Sequence, residues 1–238
     1  MLTWKLLPAG DDPALAEGRA PEGLLSTAEA EVLEGFRFEA RRRKWLLGRA
    51  AAKALLIEVL GSGTKMAPEP ATVVVKNEDS GAPFAELEGR RLPGCLTISH
   101  RTGFGAAAYE DDPAIGIGID LELVETRSPA LLRTFFTEAE QVEVAAQDDH
   151  TAQVSVARIW SAKEAVLKAL RLGLRRDTRQ IEIALPDPEQ ALLPVAPGFA
   201  PLQTRLLGEI QPEVEGELRL GWRNEGAYVL TLALLVPD

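Results

Sequence analysis

The sequence predicts an α+β fold, and three observations carry that prediction. Two stretches, 26–60 and 152–170, keep helical character over many residues. Short apolar runs at 95–99 and 104–110 flank His100-Arg101-Thr102-Gly103 and read as a hairpin. Helices and strands do not alternate one for one, as a doubly wound parallel sheet would require.

The elements follow in order. Residues 1–7 read as a strand and 8–25 as a loop bearing Pro, Gly and Asp. Ser26-Thr27-Ala28-Glu29 has a hydroxyl at the cap and an acid in the first turn, a helix start. The helix runs to about Leu60 with a break near Gly35, and Gly61-Ser62-Gly63 stops it. A β-branched run at 72–76 is strand-like, and 77–83 is a loop rich in turn formers. Asp111-Asp112-Pro113 breaks the chain, giving an N-terminal half of 1–112 and a C-terminal half of 113–238. The second half opens with a strand at 114–123. Helices are expected at 131–147 and 152–170, separated by the acidic turn Asp148-Asp149-His150. Strands are expected at 181–185, 204–210, 217–222 and 228–236, with a proline-rich loop over 186–201. No repeat of residue identities is evident.

Composition narrows the function. Hydrophobic residues at 46% and charged residues at 26% give a globular balance. Lys and Arg total 26 against 36 Asp and Glu, a net charge of −10, which excludes a basic nucleic-acid coat. A single cysteine, Cys95, excludes an internal disulfide framework and a Cys-rich zinc site. With two histidines, a metal site must be built from carboxylates, which suits a hard ion such as Mg2+, or Mn2+. The apolar run at the N-terminus is too short for a secretory signal, and no run of about 18 apolar residues exists, so a cytoplasmic protein is the default.

Two segments carry the chemistry. In Gly116-Ile117-Gly118-Ile119-Asp120-Leu121-Glu122-Leu123, alternation puts Ile117, Ile119 and Leu121 on one face and Gly116, Gly118, Asp120 and Glu122 on the other. A cation would relieve the repulsion between the acids, and the glycines leave room for a ligand to approach the backbone. The plainer alternative is a half-exposed strand with an acidic outer face. In the second segment, Trp160, Glu164 and Lys168 stand at i, i+4, i+8 on one helical face. Glu164 suits a metal and Lys168 a phosphate, against the alternative of a surface ion pair worth about 0.3–0.5 kcal/mol.

Other polar features are less specific. Ser99 and His100 are neighbours on a strand and point to opposite faces, which disfavours a Ser-His-Asp triad. Both can hold phosphate oxygens, or simply end a solvated hairpin. His150 belongs to the surface. Arg37, Arg41, Arg42, Arg43, Lys44 and Arg49 crowd one stretch of an acidic protein, which favours an anionic ligand over a merely solvated face. The stretch 61–65 lacks phosphate-loop spacing. Arg171, Arg175, Arg176 and Arg179 form a candidate patch for an acidic partner.

These residues resemble the Sfp-type 4′-phosphopantetheinyl transferases. The family's Ile-Ser-His block corresponds to Ile98-Ser99-His100, its Gly-Ile-Asp-x-Glu to Gly118–Glu122, and its Trp-Ser-x-Lys-Glu-Ala-x-x-Lys to Trp160–Lys168. Phe135-Phe136 with Glu140, and Trp45-Leu46-Leu47-Gly48-Arg49, resemble two further segments in the family's order. The resemblance implies two similar α+β halves arranged as an intramolecular pseudo-dimer, a monomer with coenzyme A in the cleft between its halves. It implies holo-[acyl-carrier-protein] synthase activity, with an apo acyl or peptidyl carrier protein as partner. Carried over by position, Asp120, Glu122 and Glu164 would hold magnesium on the coenzyme A diphosphate. Lys168 would contact that diphosphate. Ser99 and His100 would bind the 3′-phosphate, with Arg49 and Arg42 or Arg43 assisting. Glu164 would be the general base and Lys168 would stabilise developing charge. The family's Gly-Lys-Pro reads Gly81-Ala82-Pro83 here, so one lysine is missing and Lys76 is the candidate stand-in. The competing readings are a non-catalytic coenzyme A or carrier-binding protein and a magnesium-dependent phosphohydrolase.

Overall fold

The structure, a computed structural model, describes residues 1–62, 66–173, 176–185, 192 and 194–238. The chain divides into two compact units, Met1–Pro113 and Ala114–Asp238. Among the described residues no helix is long and apolar enough to cross a membrane.

Unit 1 starts with β1 (Thr3–Pro8) and a one-turn helix α1 (Pro13–Ala16) capped by Asp12. Helix α2 (Thr27–Glu34) and the long α3 (Glu39–Gly61) follow. The expected break near Gly35 is therefore a full helix boundary. Strands β2 (Val73–Asn77), β3 (Pro83–Leu87) and β4 (Arg90–Arg91) form a small antiparallel sheet. Strand β3 was not expected, because five residues with one turn former at the edge give too short a pattern. Strands β5 (Cys95–Arg101) and β6 (Phe104–Glu110) form the predicted hairpin, and β1 joins it in the order β1-β6-β5. Ala51, Ala52, Leu55 and Leu56 of α3 pack on Ala107 and Tyr109 of β6 and on Val73 and Val75 of β2. Small side chains let the helix lie close to the sheet, and at Gly105 a Cβ would meet Leu47 O at 2.3 Å.

Unit 2 opens with β7 (Gly116–Leu123). The single helix expected over 131–147 is two helices, α4 (Pro129–Phe135) and α5 (Glu138–Ala145), because Thr137 caps a new start. The long α6 (Asp149–Ala169) follows, N-capped by Asp148. Strands β8 (Ile181–Ala184), β9 (Ala200–Leu206), β10 (Glu217–Glu225) and β11 (Tyr228–Val236) complete a sheet of order β7-β11-β10-β9-β8. The strand expected at 204–210 thus lies earlier, and residues 208–213 are a 3-10 turn. Part of the proline-rich loop, 186–191 and 193, lies outside the described residues, as do 63–65 of the glycine-rich stretch.

The two units repeat one arrangement that residue identities hide. In each, the first strand pairs with the last and a long helix packs on both. In each, a short helix opens with a capping box, Ser26 with Glu29 and Thr137 with Glu140. The same glutamate then accepts a strand N–H, from Val75 at 3.1 Å or Ile183 at 2.8 Å. It also pairs with a fully buried lysine of the long helix, Lys53 at 2.5 Å or Lys163 at 2.7 Å. Lys53 donates further to Leu24 O and Pro70 O, Lys163 to Phe135 O and Thr178 O. Short helix, long helix and following strand are thereby tied at one point. Burial pushes the Glu140 carboxyl up and the Lys163 ammonium down, and their mutual attraction opposes both shifts.

Candidate active site

Strand β7 carries its acids inward. Asp120 is 2% exposed and Glu122 8%, so the reading of a half-exposed acidic strand is excluded. Their face packs against α6. A Cβ on Gly118 would stand 1.8 Å from Ala165 O, and one on Gly116 would stand 2.3 Å from Ala169 O. The glycines therefore admit the helix backbone, not a ligand, which corrects the expectation drawn from the strand alone.

That close approach sets the chemistry. Lys168 Nζ donates to Asp120 Oδ1 at 2.8 Å and to Ile119 O at 2.9 Å. The lysine thus bonds across to β7 and is no mere surface partner of Glu164. Glu164 hydrogen-bonds Asp120, and its carboxyl is pushed up to about 8. Burial is the main cause, followed by the Asp120 charge; Glu122 adds to the rise and Lys168 opposes it. Near neutral pH in the metal-free protein, the Asp120–Glu164 pair retains a proton. Below it, Ser161 and Thr231 join buried hydroxyls at 2.8 Å, and Thr231 is the ladder partner of Asp120. Trp160 packs on Phe135 with ring centroids 5.0 Å apart and helps hold α6 in its core.

Sequence reasoning missed Arg127, in the loop after β7. Its Nη2 donates to Glu122 Oε2 at 2.5 Å, and Nη1 lies 3.1 Å from Glu125 Oε1. The only sequence signal was a cation five residues beyond Glu122. Among the described residues, no three acidic, histidine or cysteine side chains stand arranged to hold a metal ion. The donor chemistry nonetheless fits one. Of the three acids, one carries a proton, one is paired with an ammonium and one with a guanidinium, and all offer hard oxygens.

Unit 1 has the same places without the acids. Both hairpins turn through two residues, so Lys5, opposite Ala107, is the counterpart of Asp120, opposite Thr231. By the same count Leu7 stands where Glu122 does. Counting from Lys53 and Lys163, Ala54 and Glu58 stand where Glu164 and Lys168 do. Lys5 and Glu58 form an ion pair of reversed polarity.

Unit 1 instead holds a pocket of about 210 Å³ lined by Trp45, Gly48, Arg49, Asn77, Gly81, Pro83, Ile98 and His100. Arg49 is buried there. Its guanidinium lies 4.8 Å from the Trp45 ring centroid and donates to Asn77 Oδ1 at 2.8 Å, while its Nε has no hydrogen-bond partner. Ile98 and His100 face the pocket, and Ser99 points the other way, buried, as strand alternation requires. Arg42, two turns before Arg49, does not line the pocket, and Arg43 is paired with Glu39. Lys76 is paired with Glu86 at 2.6 Å and does not line the pocket. In the basic patch, Arg179 pairs with Asp177 at 2.6 Å, and Arg175 lies outside the described residues.

The chain is similar to known proteins. The model of the 4′-phosphopantetheinyl transferase superfamily matches residues 116–229. The 4′-phosphopantetheinyl transferase HetI of Nostoc sp. is 30% identical over 181 residues, 75% of this chain and 73% of HetI. The 4′-phosphopantetheinyl transferase psf-1 of Bacillus pumilus is 23% identical over 198 residues, 83% of this chain and 79% of psf-1. A holo-[acyl-carrier-protein] synthase of Staphylococcus carnosus is 29% identical over 89 residues, 37% of this chain and 74% of its own length.

Proposed function

Because the chain belongs to the 4′-phosphopantetheinyl transferase superfamily, we propose that it moves the 4′-phosphopantetheine moiety of coenzyme A onto a serine hydroxyl of an apo carrier protein, releasing 3′,5′-ADP. We assign it to the Sfp type. HetI and psf-1 align over 181 and 198 residues, whereas the Staphylococcus carnosus synthase aligns over 89. The observation that carries the reading is the buried Asp120–Glu164 pair with Lys168 bonded to it.

Asp120, Glu122 and Glu164 would hold magnesium, which neutralises charge on the diphosphate when bound. Serine Oγ attacks the β-phosphorus, and the bond to the oxygen that leaves with 3′,5′-ADP breaks. The serine proton passes to Glu164, directly or through one water. Lys168 lends its charge to the diphosphate as negative charge builds on the leaving group. The Arg49–His100 pocket of unit 1 takes the 3′-phosphate, because the unpartnered Arg49 Nε needs an acceptor. Ser99 faces away from that pocket and receives no role.

Intact-protein mass spectrometry of apo carriers from fatty-acid, polyketide and peptide-synthetase systems tests the reading. With coenzyme A and Mg2+, the carrier gains one phosphopantetheine, and Glu164→Gln abolishes the gain while remaining folded. Cleavage of coenzyme A without a carrier would point to a phosphohydrolase, and binding without transfer to a binding protein. Undiminished transfer by Glu164→Gln would remove that residue from the mechanism.

A further inference from the structure

The proposed metal set contains a group that already carries a counter-ion, and that counter-ion has a second partner. Arg127 lies in residues 124–128, which connect β7 to α4 without regular structure. Its Nη2 binds Glu122 Oε2 at 2.5 Å while Nη1 reaches Glu125 Oε1 at 3.1 Å. The two acids differ in burial: the Glu122 side chain is 10% exposed and that of Glu125 40%. Arg127 therefore spans an inner and an outer carboxylate. The outer end opens on a cavity of about 310 Å³ lined by Glu125, Arg127, Asp149 and Gln153, so the guanidinium has room to withdraw. The loop itself is pinned on both sides of the arginine's reach. Val124 N donates to Ala227 O at 2.8 Å, and Gln153 Nε2 donates to Thr126 Oγ1 at 3.1 Å. The side chain can thus change partner without the backbone moving.

Resting on the magnesium reading above, we propose that Arg127 is a positioning residue. It holds Glu122 aimed and charge-balanced while the metal is absent, and yields it to the ion by retreating onto Glu125. A guanidinium beside a buried carboxylate offsets part of the cost of burying its charge, so Arg127 helps keep the site assembled between metal-binding events. The same bond competes with the metal, since a guanidinium on Glu122 Oε2 reduces the charge that carboxylate offers a divalent cation. Glu125 lowers the cost of the exchange by keeping the withdrawn charge paired. Arg127 thereby sets metal affinity without touching substrate.

The two partners of Arg127 make predictions of opposite sign. Mg2+ alone is titrated into the full chain, followed by calorimetry and by melting temperature. Arg127→Met removes the competitor and tightens Mg2+ binding by about tenfold, the scale of one charge-assisted hydrogen bond. It also lowers the metal-free melting temperature and enlarges the rise that Mg2+ produces. Glu125→Gln, an exposed and structurally mild change, weakens Mg2+ binding several-fold, because the arginine then has only Glu122. A purely structural Arg127 would lower the melting temperature of Arg127→Met with Mg2+ affinity unchanged or weakened, and that result overturns the proposal. Effects of the same sign from the two variants overturn it as well. Asp120→Asn separates this failure from failure of the metal reading. If the wild type binds Mg2+ and Asp120→Asn does not, the metal reading stands whatever Arg127 does. If the wild type binds none, both fall.

Discussion

Gly118→Ala tests whether the approach of α6 to β7 builds the site. A Cβ at 118 would stand 1.8 Å from Ala165 O and 2.8 Å from both Ala165 C and Ala169 N. Real Cβ atoms essentially never come within 3.0 Å, so strand and helix must separate there by at least about 1.2 Å. The obstructing atoms are helical backbone, so no rotamer change relieves the overlap. Overpacking of this kind costs roughly 1–3 kcal/mol, or about 2–4 °C in melting temperature for each kcal/mol in a chain of this size. The displaced backbone is that of Ala165, the neighbour of Glu164, so its carboxyl moves away from Asp120. A misplacement of about 1 Å in a catalytic group can lower the rate about 100-fold. Thermal melting and carrier loading by mass spectrometry read the two effects. Gly10→Ala, where a Cβ meets nothing within 4 Å, is the control and changes neither. A Gly118→Ala protein with native melting temperature and native turnover would show that the contact does not set the site.

Four other outcomes are expected. Between the ordinary carboxyl value of 4.5 and about 8, folded Glu164 keeps a proton that the unfolded chain releases. Raising pH through that window therefore costs the metal-free protein stability, and Glu164→Gln should melt higher than wild type above about pH 8. Mg2+ must displace the same proton, so its affinity should climb with pH up to about 8 and then level off; a flat calorimetric profile would contradict this. Lys53→Met and Lys163→Met each strand a buried glutamate and should each lose about 3–5 kcal/mol in denaturant unfolding. Adding Glu29→Gln or Glu140→Gln to the matching variant should restore part of that loss. Arg49→Ala should weaken coenzyme A binding about tenfold and erase the preference for coenzyme A over its 3′-dephospho form, as competition calorimetry would reveal.

What was legible in the sequence is what local geometry dictates. The period of two along 116–123 put Asp120 and Glu122 on one face, and the period of 3.6 along 149–169 put Glu164 and Lys168 on one face. The hairpin around residues 102 and 103 was readable because a two-residue turn and its flanking strands are contiguous. Boundaries that depend on a cap competing with an apolar pattern, as at Thr137, were less readable, and 131–147 looked like one helix for that reason.

Tertiary structure decided the rest, because the deciding contacts join residues far apart in the chain. Lys168 bonds to an acid 48 residues earlier, and Glu140 accepts the N–H of Ile183, 43 residues later. No local rule states that Gly118 makes room for a helix instead of a ligand; that follows from α6 lying across it. The family resemblance implied two similar halves, but residue identities did not show the repetition, for the same reason. Lys5, Leu7, Ala54 and Glu58 share no chemistry with Asp120, Glu122, Glu164 and Lys168, yet the registers place them in matching positions. Backbone pairing preserves position while side chains diverge, so composition and spacing alone determine which faces exist, and only packing determines what each face meets.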